Sequence, residues 1–188
     1  MICQTLSAEK SVHSQSGDCT VLMKNDSGGK QEEQMKDMEF KKAEIKHTDG
    51  IYHIVQTTIK TIYPRYYPQE VVEFFCQLHS REHIAKDIQN ATTSILRVQG
   101  QLVGTGSREG NHITRVYVFP QFQGRGYGSY LMQCLEDQIA AVHPAVLLDA
   151  SLPASLLYEH RGYRTIRHEQ YPVEHGAVLV YEIMEKVF

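Results

Sequence analysis

The chain has 188 residues, 41% of them hydrophobic, with a formal net charge of -3. That length suits one domain with a substantial core, and the mild acidity, with no basic run and no RNA-type aromatic signature, gives no reason to expect a nucleic-acid partner. No apolar stretch is long enough to cross a membrane and no signal-peptide core opens the chain, so a cytoplasmic protein without membrane contact is expected.

Residues 1–37 are rich in Ser, Gly, Gln, Asp, Glu and Lys and lack aromatics, so they read as a disordered tail; the domain is expected to span residues 38–188. An alternating strand follows, Met38 to Ile45. Ile51, Ile54, Val55, Thr58, Ile59 and Ile62 then fall on one face of a helix that Pro64 and Pro68 end. Two short helices are expected over Gln69–Leu78 and Arg81–Gln89. Three antiparallel strands follow, Ala91–Val98, Gln101–Glu109 and His112–Phe119, with hairpin turns at Gln99-Gly100 and Gly110-Asn111.

Pro120 closes the third of these strands, and Gln121-Phe122-Gln123-Gly124-Arg125-Gly126-Tyr127-Gly128-Ser129 follows. The glycines leave little side-chain bulk at a strand-to-helix junction. The first N–H groups of the helix then point outward unpaired, where they and the helix dipole attract phosphate oxygens. Arg125 adds a permanent cation. The spacing does not meet G-x-G-x-x-G, and no Gly-Lys-Ser/Thr ending marks a P-loop. The helix that follows places Tyr127, Leu131, Cys134, Leu135, Gln138, Ile139 and Val142 near one face, and Pro144 lies past its end. Val146–Ala150 reads as a buried strand. Ser151–Gly162 reads as a short helix, with Ser151 as N-cap and Gly162 at the left-handed C-terminal position. Two strands, Tyr163–Gln170 and Ala177–Val187, complete the sheet.

The glycine segment resembles the acyl-CoA-binding motif of the GNAT superfamily of N-acyltransferases, Q/R-x-x-G-x-G/A, with Gln123, Gly126 and Gly128 in its places. Ser151 to Tyr163 resembles the superfamily's late motif, which ends in Tyr-Glu-x-x-Gly-aromatic. The resemblance is good from Ile113 to Tyr163 and looser on both sides. It implies an α/β (α+β) fold: a mixed, mainly antiparallel central sheet flanked by helices on both faces. It also implies an acetyl-CoA-dependent N-acetyltransferase, with acetyl-CoA as acyl-donor co-substrate and direct attack by the acceptor amine. Gln123, Gly124, Arg125, Gly126, Tyr127, Gly128 and Ser129 would then hold the CoA pyrophosphate. Val116 and Val118 would offer main-chain groups to the pantetheine arm, and an amide near Val118 would polarise the carbonyl.

Proton transfer needs a base for the amine, whose pKa is about 10.4, and an acid for the leaving thiolate. Tyr158 falls on the family's tyrosine position and is the candidate acid. His112 stands where many members carry Glu before the glycine turn. It is the candidate base, with Glu109 and Asp149 as alternatives. Arg115 is either a surface strand residue or a contact for an anionic acceptor. Tyr63, Arg65, Tyr66 and Tyr67 form an aromatic, basic cluster in the region that lines the acceptor pocket in this superfamily. A small-molecule amine is the expected acceptor. The competing readings are a protein or peptide N-terminus or lysine, and a non-catalytic acyl-CoA-binding sensor module.

The four cysteines, Cys3, Cys19, Cys76 and Cys134, are scattered without C-x-x-C, which favours reduced thiols. The ten histidines include His79 and His83 four apart, but with no further ligands, so no metal is expected. A homodimer is a fair guess for a small enzyme of this kind.

Overall fold

The structure is a computed structural model that describes residues 38–188; the expected tail over 1–37 lies outside the described residues. In chain order the elements are β1 (Met38–Lys42), α1 (Thr48–Ile62), α2 (Gln69–Leu78), α3 (Arg81–Gln89), β2 (Thr93–Val98), β3 (Gln101–Glu109), β4 (His112–Val118), α4 (Tyr127–Ala140), β5 (Ala145–Ala150), α5 (Ser155–His160), β6 (Arg164–Pro172) and β7 (Val178–Val187). Seven strands form one open sheet in the order β1-β2-β3-β4-β5-β7-β6. Its neighbours are antiparallel except β4 and β5. This is the mixed, mainly antiparallel sheet expected, with helices on both faces.

Periodicity decides which helix covers which face. On α1, Ile51, Ile54, Val55 and Ile59 recur at helical spacing and are sealed from solvent, packing with α2 and α3 residues and with Ile95 and Tyr117 of the sheet. On the opposite face, Leu131, Cys134, Leu135 and Ile139 of α4 pack on Leu96, Val103, Val146 and Leu148. Gly104 and Gly106 of β3 let α4 come this close: a Cβ there would lie 2.9 Å from Leu131 Cδ1 and 2.9 Å from Leu135 Cδ1 respectively.

The parallel pair positions the site. β4 and β5 are in register only at His112–Leu147 and Ile113–Leu148. Beyond Ile113 the β4 strand carries an extra residue, Thr114, opposite β3, while β5 continues along β7 for its whole length. A bulge bends and twists its strand. The two strands therefore part, and a gap opens at their carboxyl ends.

Three local readings differ from the structure. The first strand, expected to run to Ile45, ends at Lys42, and Ile45 opens a short helical turn over Ile45–His47. The helix expected from Ser151 begins only at Ser155, with Ala154 at its N-cap position. Ser151 does not cap it; its carbonyl accepts from Ala154 N at 2.8 Å in a preceding turn. Val142 lies past the end of α4 and is exposed, since the helix stops at Ala140. Gly162 does take the left-handed conformation, at φ +88°.

Candidate active site

After β4 the chain makes one helical turn at Pro120–Phe122 and reverses. Gln123 secures the reversal: its Nε2 donates to the Val118 carbonyl at 2.9 Å, closing the turn against the end of β4. Gly126, at φ +84°, caps α4 in the left-handed region that glycine tolerates best. A Cβ on Gly124 or Gly126 would meet nothing within 4 Å, so this backbone faces open space. Behind it stand the N–H groups of the first turn of α4, which have no partner within the helix. Arg125 is exposed, with its guanidinium 5.5 Å from the centre of the Phe122 ring. Tyr127 turns inward into the core beneath α4.

This turn forms one wall of a cavity of about 720 Å³. Gly124, Gly126, Gly128, Ser129 and Gln123 line that wall. Val116 and Val118 line the gap beside β4, and Tyr63, Arg65 and Tyr66, from the turn leaving α1, line a further wall. Strand alternation gives the gap its polarity. Phe119 N donates to Val103 O, so the odd-numbered positions bond toward β3, and the main-chain groups of Val116 and Val118 point the other way. That side has no β5 pairing beyond Ile113. Arg125 and Tyr127 do not line the cavity.

A smaller space of about 70 Å³ lies deeper, between β4 and β5. It shares Tyr63, Val116, Tyr117, Ser151 and Ala154 with the main cavity and adds Arg115, Asp149, His79 and Tyr158 among others. A hydroxyl cluster lies between the two. The Tyr63 hydroxyl is 3.1 Å from that of Tyr117 and 3.3 Å from Ser151 Oγ. Tyr67 is buried, and its hydroxyl accepts from Leu152 N at 2.8 Å and donates to the Val180 carbonyl at 3.3 Å. Burial pushes its phenol up to about 12. Burial, followed by the neighbouring Tyr63, pushes the Tyr158 phenol far up as well. Tyr158 therefore carries its proton throughout the neutral range and has one to give.

His112 sits at the start of β4, outside both cavities, with Nε2 3.5 Å from Asp149 Oδ1. Burial lowers its pKa, and the Asp149 carboxylate partly offsets the drop. Arg115 fits neither of its expected descriptions. It is 2% exposed. It donates to Asp87 Oδ2 at 2.7 Å, Ser107 Oγ at 3.3 Å and His79 Nδ1 at 3.4 Å, which ties β4 to α3. The expected residues thus separate. Gln123, Gly124, Gly126, Gly128, Ser129, Val116, Val118, Tyr63, Arg65 and Tyr66 share one cavity, and Tyr158 lies just behind it. Arg125, Tyr127, Tyr67 and His112 stand outside. Thr58, Tyr117 and Ser151 also face the cavity. Nothing in the local sequence singled out Thr58 or Tyr117, and Ser151 was legible only as a helix cap. Among the described residues no three His, Cys, Asp or Glu side chains converge as a metal site, and no helix is long and apolar enough to cross a membrane.

The acetyltransferase (GNAT) domain family matches residues 62–182. The chain belongs to that family and is an acyltransferase. No curated protein matches it significantly. Among solved structures it is similar to a GCN5-related N-acetyltransferase from Rhodopseudomonas palustris, at 24% identity and TM-score 0.74 over 79% of this chain and 94% of that one. It is also similar to the PaiA N-acetyltransferase of Thermoplasma acidophilum, solved with coenzyme A (16% identity, TM-score 0.60, 80% and 99% covered). A third is YncA of Salmonella typhimurium, solved with acetyl-CoA (15% identity, TM-score 0.62, 80% and 93% covered).

Proposed function

We propose that the protein is an N-acetyltransferase that moves an acetyl group from acetyl-CoA to the primary amine of a small molecule. The observation that carries this reading is the single cavity joining the glycine turn, the edge of β4 that β5 leaves unpaired beyond Ile113 and the aromatic turn after α1. The CoA pyrophosphate lies against Gly124–Ser129, where backbone donors and the α4 N-terminus favour negative charge. The pantetheine arm enters the gap beside Val116 and Val118, and an outward amide of β4 stabilises the carbonyl oxygen as it becomes negative.

The amine nitrogen attacks the thioester carbonyl and the C–S bond breaks. The thiolate takes a proton from Tyr158, and the amine's surplus proton leaves toward Asp149, across the Tyr63–Ser151 hydroxyls or a water in the deeper space. His112, 3.5 Å from Asp149, tunes or shares that acceptor role. The aromatic turn at Tyr63, Arg65 and Tyr66, which lines one wall of the cavity, favours a small amine over a protein terminus. A cytoplasmic location and a homodimer fit this reading.

The test pairs calorimetry with turnover. Wild type should bind acetyl-CoA and give no heat with NADH. Tyr158→Phe should keep acetyl-CoA affinity and lose about 10²-fold or more in kcat, the usual share of a general acid. Equal turnover in the two proteins would return Tyr158 to a packing role, and no heat with acetyl-CoA would remove the donor.

A further inference from the structure

The charge on the cavity wall narrows the acceptor. Of the described side chains lining the 720 Å³ cavity, Arg65 is the one charged group; the others are apolar, hydroxyl, amide or glycine. No carboxylate among the described residues lines it. Arg65 is exposed and has no ion pair or hydrogen bond among the described residues, unlike Arg115 and Arg161, which are both held by carboxylates. It is placed by a rigid support. The turn that carries it is fixed on one side by Tyr63, bonded to Tyr117 and Ser151, and on the other by Tyr67, bonded to Leu152 N and the Val180 carbonyl. The glycine turn, with its own phosphate-attracting amides, belongs to a different connection, between β4 and α4.

From this we infer that the acceptor is an amine bearing its own anion, a carboxylate or a phosphate, which Arg65 pairs while the nitrogen reaches the thioester. The inference rests on the acetyl-transfer reading above. A planar guanidinium offers paired donors to either anion. An acceptor with a second ammonium group, such as a polyamine, would find like charge and no carboxylate on this wall. The same cation favours the neutral form of a nearby amine, which is the form that attacks.

The experiment uses matched acceptors that differ by one anionic group: tyramine against L-tyrosine, and ethanolamine against O-phosphoethanolamine, with spermidine alongside. Turnover is read by thiol release, and acetyl-CoA affinity by calorimetry on the same samples. Wild type should favour the anion-bearing member of at least one pair by about tenfold or more in kcat/KM, the scale of a charge-assisted bond. In Arg65→Gln that ratio should fall toward one through a raised acceptor KM, with acetyl-CoA affinity retained. Arg65→Lys should recover part of it. Equal kcat/KM within both pairs, a preference for spermidine, or no turnover of any acceptor by protein that binds acetyl-CoA would each overturn the inference. So would loss of acetyl-CoA affinity in Arg65→Gln, which would assign this cation to the CoA phosphates. Wild type that fails to bind acetyl-CoA would instead strike the donor reading, and the acceptor proposal with it.

Discussion

Gly126 shows at the scale of one residue how conformation and binding are joined. Its φ of +84° disfavours any L side chain, and the space where a Cβ would begin is empty of protein. A substitution there strains the backbone modestly and projects into the cavity. Gly126→Asp adds a negative charge where the proposed CoA phosphate would lie. Acetyl-CoA binding should be lost while the thermal midpoint falls by only a few degrees, the size expected for about 1 kcal/mol. Calorimetry and thermal melting on the same variant check this; affinity unchanged from wild type would mean that the turn does not hold the donor. Gln123 teaches a different lesson. Its amide is spent on the Val118 carbonyl, so it shapes the turn through β4.

Between elements, one buried carboxylate holds α4 to its neighbours. Glu136 is 1% exposed. It accepts from Arg161 Nε at 3.0 Å and Nη2 at 2.9 Å, from Lys186 Nζ at 2.9 Å and from the Tyr163 hydroxyl at 3.2 Å. Burial alone would raise its carboxyl, but the hydrogen bonds and charges of Arg161 and Lys186 outweigh burial and hold it below the usual range. The cluster joins the helix behind the glycine turn to the end of α5 and to β7. Removing the carboxylate leaves two cations facing each other with little solvent. Glu136→Ala should cost about 3–5 kcal/mol in chemical denaturation, as breaking a buried pair does. A loss near zero would show that water replaces the carboxylate freely.

For the whole molecule, histidines whose pKa burial lowers are expected to contribute to the response to acid. His79 is 3% exposed and accepts from Arg115. Burial, followed by the Arg115 charge, holds its pKa well below 6.5. Burial also lowers His47 and His112. As pH falls, the unfolded chain takes up these protons first. The stabilisation is fully present above about 6.5 and is lost as pH drops toward the folded-state values. Denaturation midpoints should therefore decline between about pH 7.5 and about pH 5.5, and the decline should shrink in His79→Gln. An equal decline in that variant would move the effect to the other histidines. His79 joins the two halves of the fold, because its carbonyl also accepts from Gln56 on α1 at 3.2 Å.

The order of elements, the mixed sheet, the glycine turn and the family were legible in the chain because each rests on residues close in sequence. Helical spacing on α1 and α4, alternation on the strands, and glycines between Gln123 and Ser129 are local patterns. The tertiary structure decided what depends on distant partners. Arg115 reads as a surface or ligand cation until Asp87, 28 positions away, is seen to pair with it. Ser151 reads as a helix cap until Tyr63, 88 positions away, is found beside it. Tyr127 lies within the glycine motif yet belongs to the core, because the first turn of α4 directs it inward. The separation of β4 from β5 beyond Ile113, and the charge of Arg65 set among uncharged described residues in the cavity it creates, appear only when the strands and the turn after α1 are assembled. Chain patterns encode which face of an element is apolar, whereas charge pairing and cavity walls are set by which faces meet.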